Sequence, residues 1–284
     1  MIAWLIEPWT HQFMLRALAA SVLVGVVCAV VGCYVVLRSM AFMGDALAHA
    51  ILPGVAIAYL LGGNLLIGAL AAAVLVALGI GFFTRGGAIK EDTAIGILFA
   101  AALSLGVALI SSVRTYALDL SHILFGDVLG VSPEDLILTA VLALVILGTI
   151  LMLYKELLVV AFDPILATTM RLPVSFIRNL LLVMLAVTVV VALNSVGVGL
   201  AAAMLVTPAA TAYLLTRRLP VMMVLSAMTG VISSMIGLYL SYYWNIASGA
   251  AIVLSASALF LIVFLFSSQT GVLRQVYNHF RRIP

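Results

Sequence analysis

Charge is what this sequence has least of. Lys, Arg, Asp and Glu make up only 8% of its 284 residues, 66% are apolar, and the mean hydropathy is +1.34. No solvated domain has that composition; it belongs to a polytopic membrane protein. Thirteen Lys and Arg barely outnumber ten Asp and Glu. So small an excess reads as basic loops on the cytoplasmic side, not as a nucleic-acid surface, which needs a solvated basic patch. Cysteine is nearly absent. Cys28 and Cys33 both fall in the first long apolar run. Five apart on a helix, they do not share a face, which argues against a local disulfide or metal clip and for small apolar packing residues. Signature motifs are missing too. Without G-x-x-x-x-G-K-[ST] the chain does not bind ATP through a P-loop, and Gly86–Lys90 is only a turn. Without H-E-x-x-H it lacks the usual zinc-protease helix, and it has no Arg-rich voltage-sensor helix. The N-terminus has no basic n-region, carries Glu7 and leads into a run too long for an h-region, so no cleaved signal is expected.

What the sequence does have is apolar runs of membrane-crossing length. They fall at about Phe13–Leu37, Ala41–Leu61, Asn64–Thr84, Thr93–Val113, Leu136–Tyr154, Asn179–Asn194, Val198–Thr216, Val221–Tyr243 and Ala247–Phe266. The expected fold is therefore all-α, a single transmembrane domain over residues 1–284 with nine spans, or eight if one short run is re-entrant. Counting Lys and Arg sets the orientation. With the Lys155–Arg178 loop inside, Arg217, Arg218, the Arg85–Lys90 turn, Arg38 and the tail with Arg274, Arg281 and Arg282 fall inside as well. The N-terminus is then outside, with Trp4 and Trp9 at the interface, and the C-terminus is cytoplasmic. Small residues such as those of Gly197–Ala212 let helices pack closely.

One segment breaks the apolar pattern. Ser39–Ala56, SMAFMGDALAHAILPGVA, places Asp45 and His49 inside a span. Four apart, they share one helical face. Pro53 and Gly54 follow, so the helix is expected to kink or break there. At ~1.5 Å rise per residue, Asp45 lies ~6 Å and His49 ~12 Å along the span, well inside a hydrocarbon layer ~30 Å thick. A carboxylate there costs at least ~2.5 kcal/mol on insertion scales, so it should face a cavity or a partner rather than lipid. A carboxylate and an imidazole one turn apart can hold a divalent metal from one side, but two ligands are too few. The same pair could instead simply bond across helices.

Two other polar stretches stand out. In Lys155–Val174, Asp163 and Pro164 make a good helix start, and Ile165–Leu172 can form a short helix stopped by Pro173. Such a helix docks a partner or lies on the membrane surface. Asp119–Asp135 carries Asp119, His122, Asp127, Glu134 and Asp135, which could draw cations toward an outer entrance or form an ordinary solvated loop.

At SMAFMGDALAHAILPGVA the sequence resembles the permease subunits of manganese/zinc/iron-type metal-ion ABC importers. FGDVLGVSPEDL (Phe125–Leu136), FDPILATTMRLPV (Phe162–Val174) and VGVGLAAAMLVTPAATA (Val196–Ala212) agree, and the likeness covers nearly the whole chain. The resemblance implies a type II ABC importer-like permease that works as a homodimer in the bacterial cell (inner) membrane. Two cytoplasmic ATP-binding subunits would drive it, and an extracytoplasmic metal-binding protein would deliver the ion. Asp45 and His49 match the family's intramembrane metal positions. Residues 155–178 match its cytoplasmic coupling region, with Asp163, Pro164, Ile165, Leu166, Ala167, Met170, Arg171, Leu172 and Pro173 as ATPase contacts. No cofactor would be permanently bound, and the cargo would be manganese, alternatively zinc or iron. Leu52–Gly54, LPG, looks more like the manganese-type members. The chain would be no enzyme itself, and its partners would include lipid but no nucleic acid. From the residues alone, an ion- or proton-coupled secondary transporter remains the rival reading. An intramembrane metalloenzyme is disfavoured because no general base accompanies the pair.

Overall fold

The computed structural model describes residues 7–87, 89–111 and 128–267, and among these it is all-helical, with no strand. A 3-10 turn, Glu7–Thr10, leads into α1 (Gln12–Leu37). There follow α2 (Met43–Ala50), α3 (Leu52–Leu60), α4 (Leu65–Phe83), α5 (Glu91–Ser111) and α6 (Pro133–Met152). Two short helices, α7 (Tyr154–Phe162) and α8 (Pro164–Thr169), precede α9 (Val174–Val196), α10 (Val198–Leu215), α11 (Leu219–Trp244) and α12 (Ser248–Phe266).

Among the described residues eight spans are long and apolar enough to cross a membrane, with α2 and α3 together making one of them, Met43–Leu60. The shorter apolar helix Gly199–Leu215 is the ninth apolar run read from the sequence. Helix ends follow the local chemistry. Asn64 caps α4 by accepting from the backbone N–H groups of Leu66 and Ile67, and Ser132 caps α6 through the N–H of Asp135. The Asp119, His122 and Asp127 stretch and the basic tail lie outside the described residues.

The architecture is a bundle around α1, which packs against α6, α9, α10 and α11. Among lipid tails no hydrophobic gain drives helices together, so close packing and interhelical hydrogen bonds must do it. Both are present. Ser226 Oγ donates to the Ala29 carbonyl at 3.0 Å, and Ser234 Oγ to the Ser21 carbonyl at 3.3 Å, joining α11 to α1. At Gly32, α1 lies so close to α10 that a Cβ would overlap the Leu205 carbonyl. Gly54 and Gly68 face each other where α3 crosses α4, and a Cβ on either would strike the other's backbone. Cys28 and Cys33 are buried free thiols.

Two expectations need correcting. Residues 155–178 hold more helix than the one short helix expected there: α7, α8 and the first turn of α9. The apolar run Leu157–Phe162 buries Leu157 and Val160 and so continues as helix. The span expected from Asn179 starts at Val174, because Arg178 turns inward and bonds the Gly81 carbonyl at 3.0 Å instead of marking a solvated end.

Candidate functional site

The intramembrane pair sits on α2, which packs among α4, α5, α9 and α10. Met43, Gly44, Ala46, Leu47, Ala48 and Ala50 are all buried, so six of the eight residues of this short helix are committed to neighbours. Asp45 is the exception, with 58% of its side chain exposed, and His49 keeps 30%. His49 Nε2 lies 3.7 Å from Asp45 Oδ1, so the two heteroatoms sit side by side on one helical face. The imidazole leans on Phe99 of α5, ring centroids 6.1 Å apart. Phe99 carries no sequence signal that singles it out from other apolar residues of its span.

The helix break expected near Pro53 is present at Ile51, the junction of α2 and α3. Pro53 has no N–H to give the His49 carbonyl four residues back, so regular helix cannot run through this point. The break ends α2 just after His49.

Among the described residues no group of three or more His, Cys, Asp or Glu could hold a metal ion. On their own Asp45 and His49 offer one carboxylate and one imidazole, oxygen and nitrogen donors of the kind that suits Mn, Fe or Zn, but too few to hold an ion.

The second sequence-singled segment is built around α8. The Asp163 carboxylate accepts from the N–H groups of Ile165 and Leu166 at 3.0 and 2.9 Å, and Pro164 occupies the first turn, where its missing N–H costs nothing. The helix stops earlier than Pro173. Arg171 adopts φ 58°, its N–H donates to the Thr168 carbonyl, and the Leu172 N–H donates to the Ala167 carbonyl, a Schellman closure. Ala167 anchors the helix, fully buried, while Ile165, Leu166 and Met170 are exposed and Phe162 stands beside them. An exposed apolar knob of this kind, held by two capped ends, is suited to sit in a partner's cleft.

A third cluster escaped sequence reasoning. Arg38, just past α1, donates from Nη2 to Glu91 Oε1 at the start of α5, at 2.6 Å. Burial lowers the pKa of the Arg38 guanidinium; the Glu91 carboxylate raises it again, and the nearby charge of Arg178 lowers it further. The two partners are 53 residues apart, so no local pattern announces the pair.

Residues 10–267 match the model of the ABC 3 transport family. The chain is 49% identical over 269 residues, 95% of its length and 92% of the other's, to the manganese transport system membrane protein MntC of Halalkalibacterium halodurans. It is 39% identical over 267 residues, 94% of its length and 98% of the other's, to a Haemophilus influenzae protein named "Probable iron transport system membrane protein". Among solved structures it resembles a chain of PsaBC from Streptococcus pneumoniae in complex with Fab, with a TM-score of 0.84 and 41% identity over 97% of this chain and 100% of that one.

Proposed function

The chain belongs to the ABC 3 transport family, and we infer that it is the permease subunit of an ATP-driven importer of a divalent transition metal, manganese first, with zinc or iron as the alternatives. It is a multi-pass protein of the bacterial cell membrane and not itself an enzyme. Its sequence has no P-loop, so the ATP chemistry lies on a separate cytoplasmic subunit. An extracytoplasmic metal-binding protein delivers the ion, the N-terminus is outside and the C-terminus cytoplasmic.

Asp45 and His49 bind the ion in passage. The observation that carries this role is the exposure of Asp45 on a helix otherwise buried, at a depth where an ionised group cannot face lipid. A second copy of the chain, related by a two-fold axis, supplies the same two donors. Two carboxylate oxygens and two imidazole nitrogens then complete four ligands. Ile165, Leu166 and Met170, between the caps Asp163–Pro164 and Arg171–Pro173, dock into the ATP-binding subunit, with Ala167 and Leu172 holding the helix to the permease.

Manganese leads because the likeness to MntC is strong and runs the length of the chain, and because carboxylates suit this harder ion. Intrinsic affinities run the other way and favour zinc, so selection must come from site geometry and delivery. The test is competition. In cells carrying the complete importer, uptake of labelled manganese is expected to resist equimolar iron and to saturate at lower concentration than uptake of zinc or iron. Faster saturation with zinc or iron would transfer the assignment to that metal.

A further inference from the structure

The Arg38–Glu91 pair joins the two helices around Asp45 and His49. Arg38 leads into α2 through a turn that has no slack. The Ser39 N–H donates to the Val36 carbonyl, the Met40 N–H to the Val35 carbonyl and the Met43 N–H to the Met40 carbonyl, with Met40 and Met43 fully packed. Any displacement of Arg38 is therefore passed to α2. Glu91 opens α5, and Phe99, two turns further along, holds the His49 ring. Of the eight spans, α5 is the least buried within the chain. It has little besides α2, α3, α4 and this ion pair to fix its position.

On its other side the cluster meets Arg178 near the start of α9, the helix that follows α8. Arg178 is five residues beyond Pro173, where the α8 segment ends. Its Nη2 donates to the Gly81 carbonyl of α4, and the Asn179 amide fills the space that a Cβ on Gly81 would take. From Gly81 the chain needs only the Thr84–Lys90 connection to reach Glu91. α8, the end of α4, the start of α5 and the start of α2 thus form one contiguous set of packed and bonded parts.

Stability alone does not explain the ion pair. Arg38 keeps 12% of its side chain exposed and Glu91 24%. At such sites desolvation offsets most of the Coulomb gain, and apolar replacements are often neutral. In a chain so poor in charge, the pair is better read as a contact that must be able to open.

We propose that Arg38 and Glu91 are positioning residues, a cytoplasmic latch that holds α2 and α5 together beneath Asp45 and His49 and parts when the ATPase-docked segment displaces α9. The proposal rests on the reading of the chain as an ATP-driven permease, so the wild-type complex is the first control: lack of ATP-dependent uptake there would defeat that reading before the latch is in question. The measurements are ATP hydrolysed per manganese ion imported and manganese leak without ATP, in proteoliposomes of the whole complex. Arg38→Gln and Glu91→Gln are each expected to raise ATP consumed per ion roughly fivefold or more, the low end of a coupling between sites, and to raise the leak. The exchanged pair, Arg38→Glu with Glu91→Arg, is expected to bring both back toward wild type. A merely structural contact would lower assembly and leave the ratio unchanged, and a wild-type ratio in assembled single variants overturns the proposal. If the single variants do not assemble, the exchanged pair decides. Restored assembly with a near wild-type ratio supports the latch; an exchanged pair that leaks or does not assemble overturns it.

Discussion

Asp45→Ala and His49→Ala each abolish metal uptake while the complex still assembles. Asp45 keeps 58% of its side chain exposed, so truncating it leaves no cavity, whereas His49, 30% exposed, leaves only the space beside Phe99. Ala is also the better helix former and removes the cost of an ionisable group in the membrane. Thermal stability of the purified complex should therefore hold or rise for Asp45→Ala and fall slightly for His49→Ala, which gives up the contact with Phe99. Uptake should fall by at least about a hundredfold, the upper end of what losing even an outer-shell partner of a metal costs. Asp45→Asn separates the possible causes: it keeps the shape and loses the charge, and it should be nearly as damaging as Ala if the carboxylate binds the ion. Normal uptake by both Ala variants would remove the pair from the transport path and leave it a polar contact between helices.

Replacing Ile165 and Leu166 together by Asp strips the ATP-binding subunit from the permease. Both side chains are exposed, Ile165 at 78%, and neither contributes to the bundle's packing, so the permease itself should fold and reach the membrane. The Asp163 cap, the Ala167 anchor and the Schellman closure are all left in place. Losing a buried apolar anchor at an interface costs about 2 kcal/mol or more, roughly a thirtyfold loss of affinity, and introducing two carboxylates adds their desolvation. Co-purification of the ATP-binding subunit with the tagged permease reads this directly, and ATP-dependent uptake should disappear with it. Full co-purification of the double variant would mean that α8 lies on the membrane surface and that docking happens elsewhere.

What could be read from the sequence follows from how far apart the interacting residues are. The interruption at Pro53, the Asp163–Pro164 helix start and the shared face of Asp45 and His49 all depend on residues within two turns of one another, and the structure has them all. The end of α8 falls three residues before the expected Leu172 because Arg171 takes the left-handed conformation usually reserved for Gly. Arg178 looked like a solvated span boundary because basic residues usually are; its carbonyl partner on α4 is 97 residues away. For the same reason the Arg38–Glu91 pair and the ring of Phe99 against His49 were invisible. Each depends on which helices become neighbours, and in a chain this uniformly apolar the hydrophobic pattern does not choose among arrangements. Of the candidate site, the shared face of Asp45 and His49 was legible; their partners across the bundle were not.

The most direct test of the central claim is manganese uptake into proteoliposomes that hold this chain with its ATP-binding subunit, wild type against an ATPase that binds ATP but cannot hydrolyse it. An ATP-driven importer accumulates manganese only with the active ATPase, and an ionophore that collapses the proton gradient makes no difference. Uptake that persists with the inactive ATPase and stops with the ionophore would contradict that reading and make the protein an ion-coupled secondary transporter.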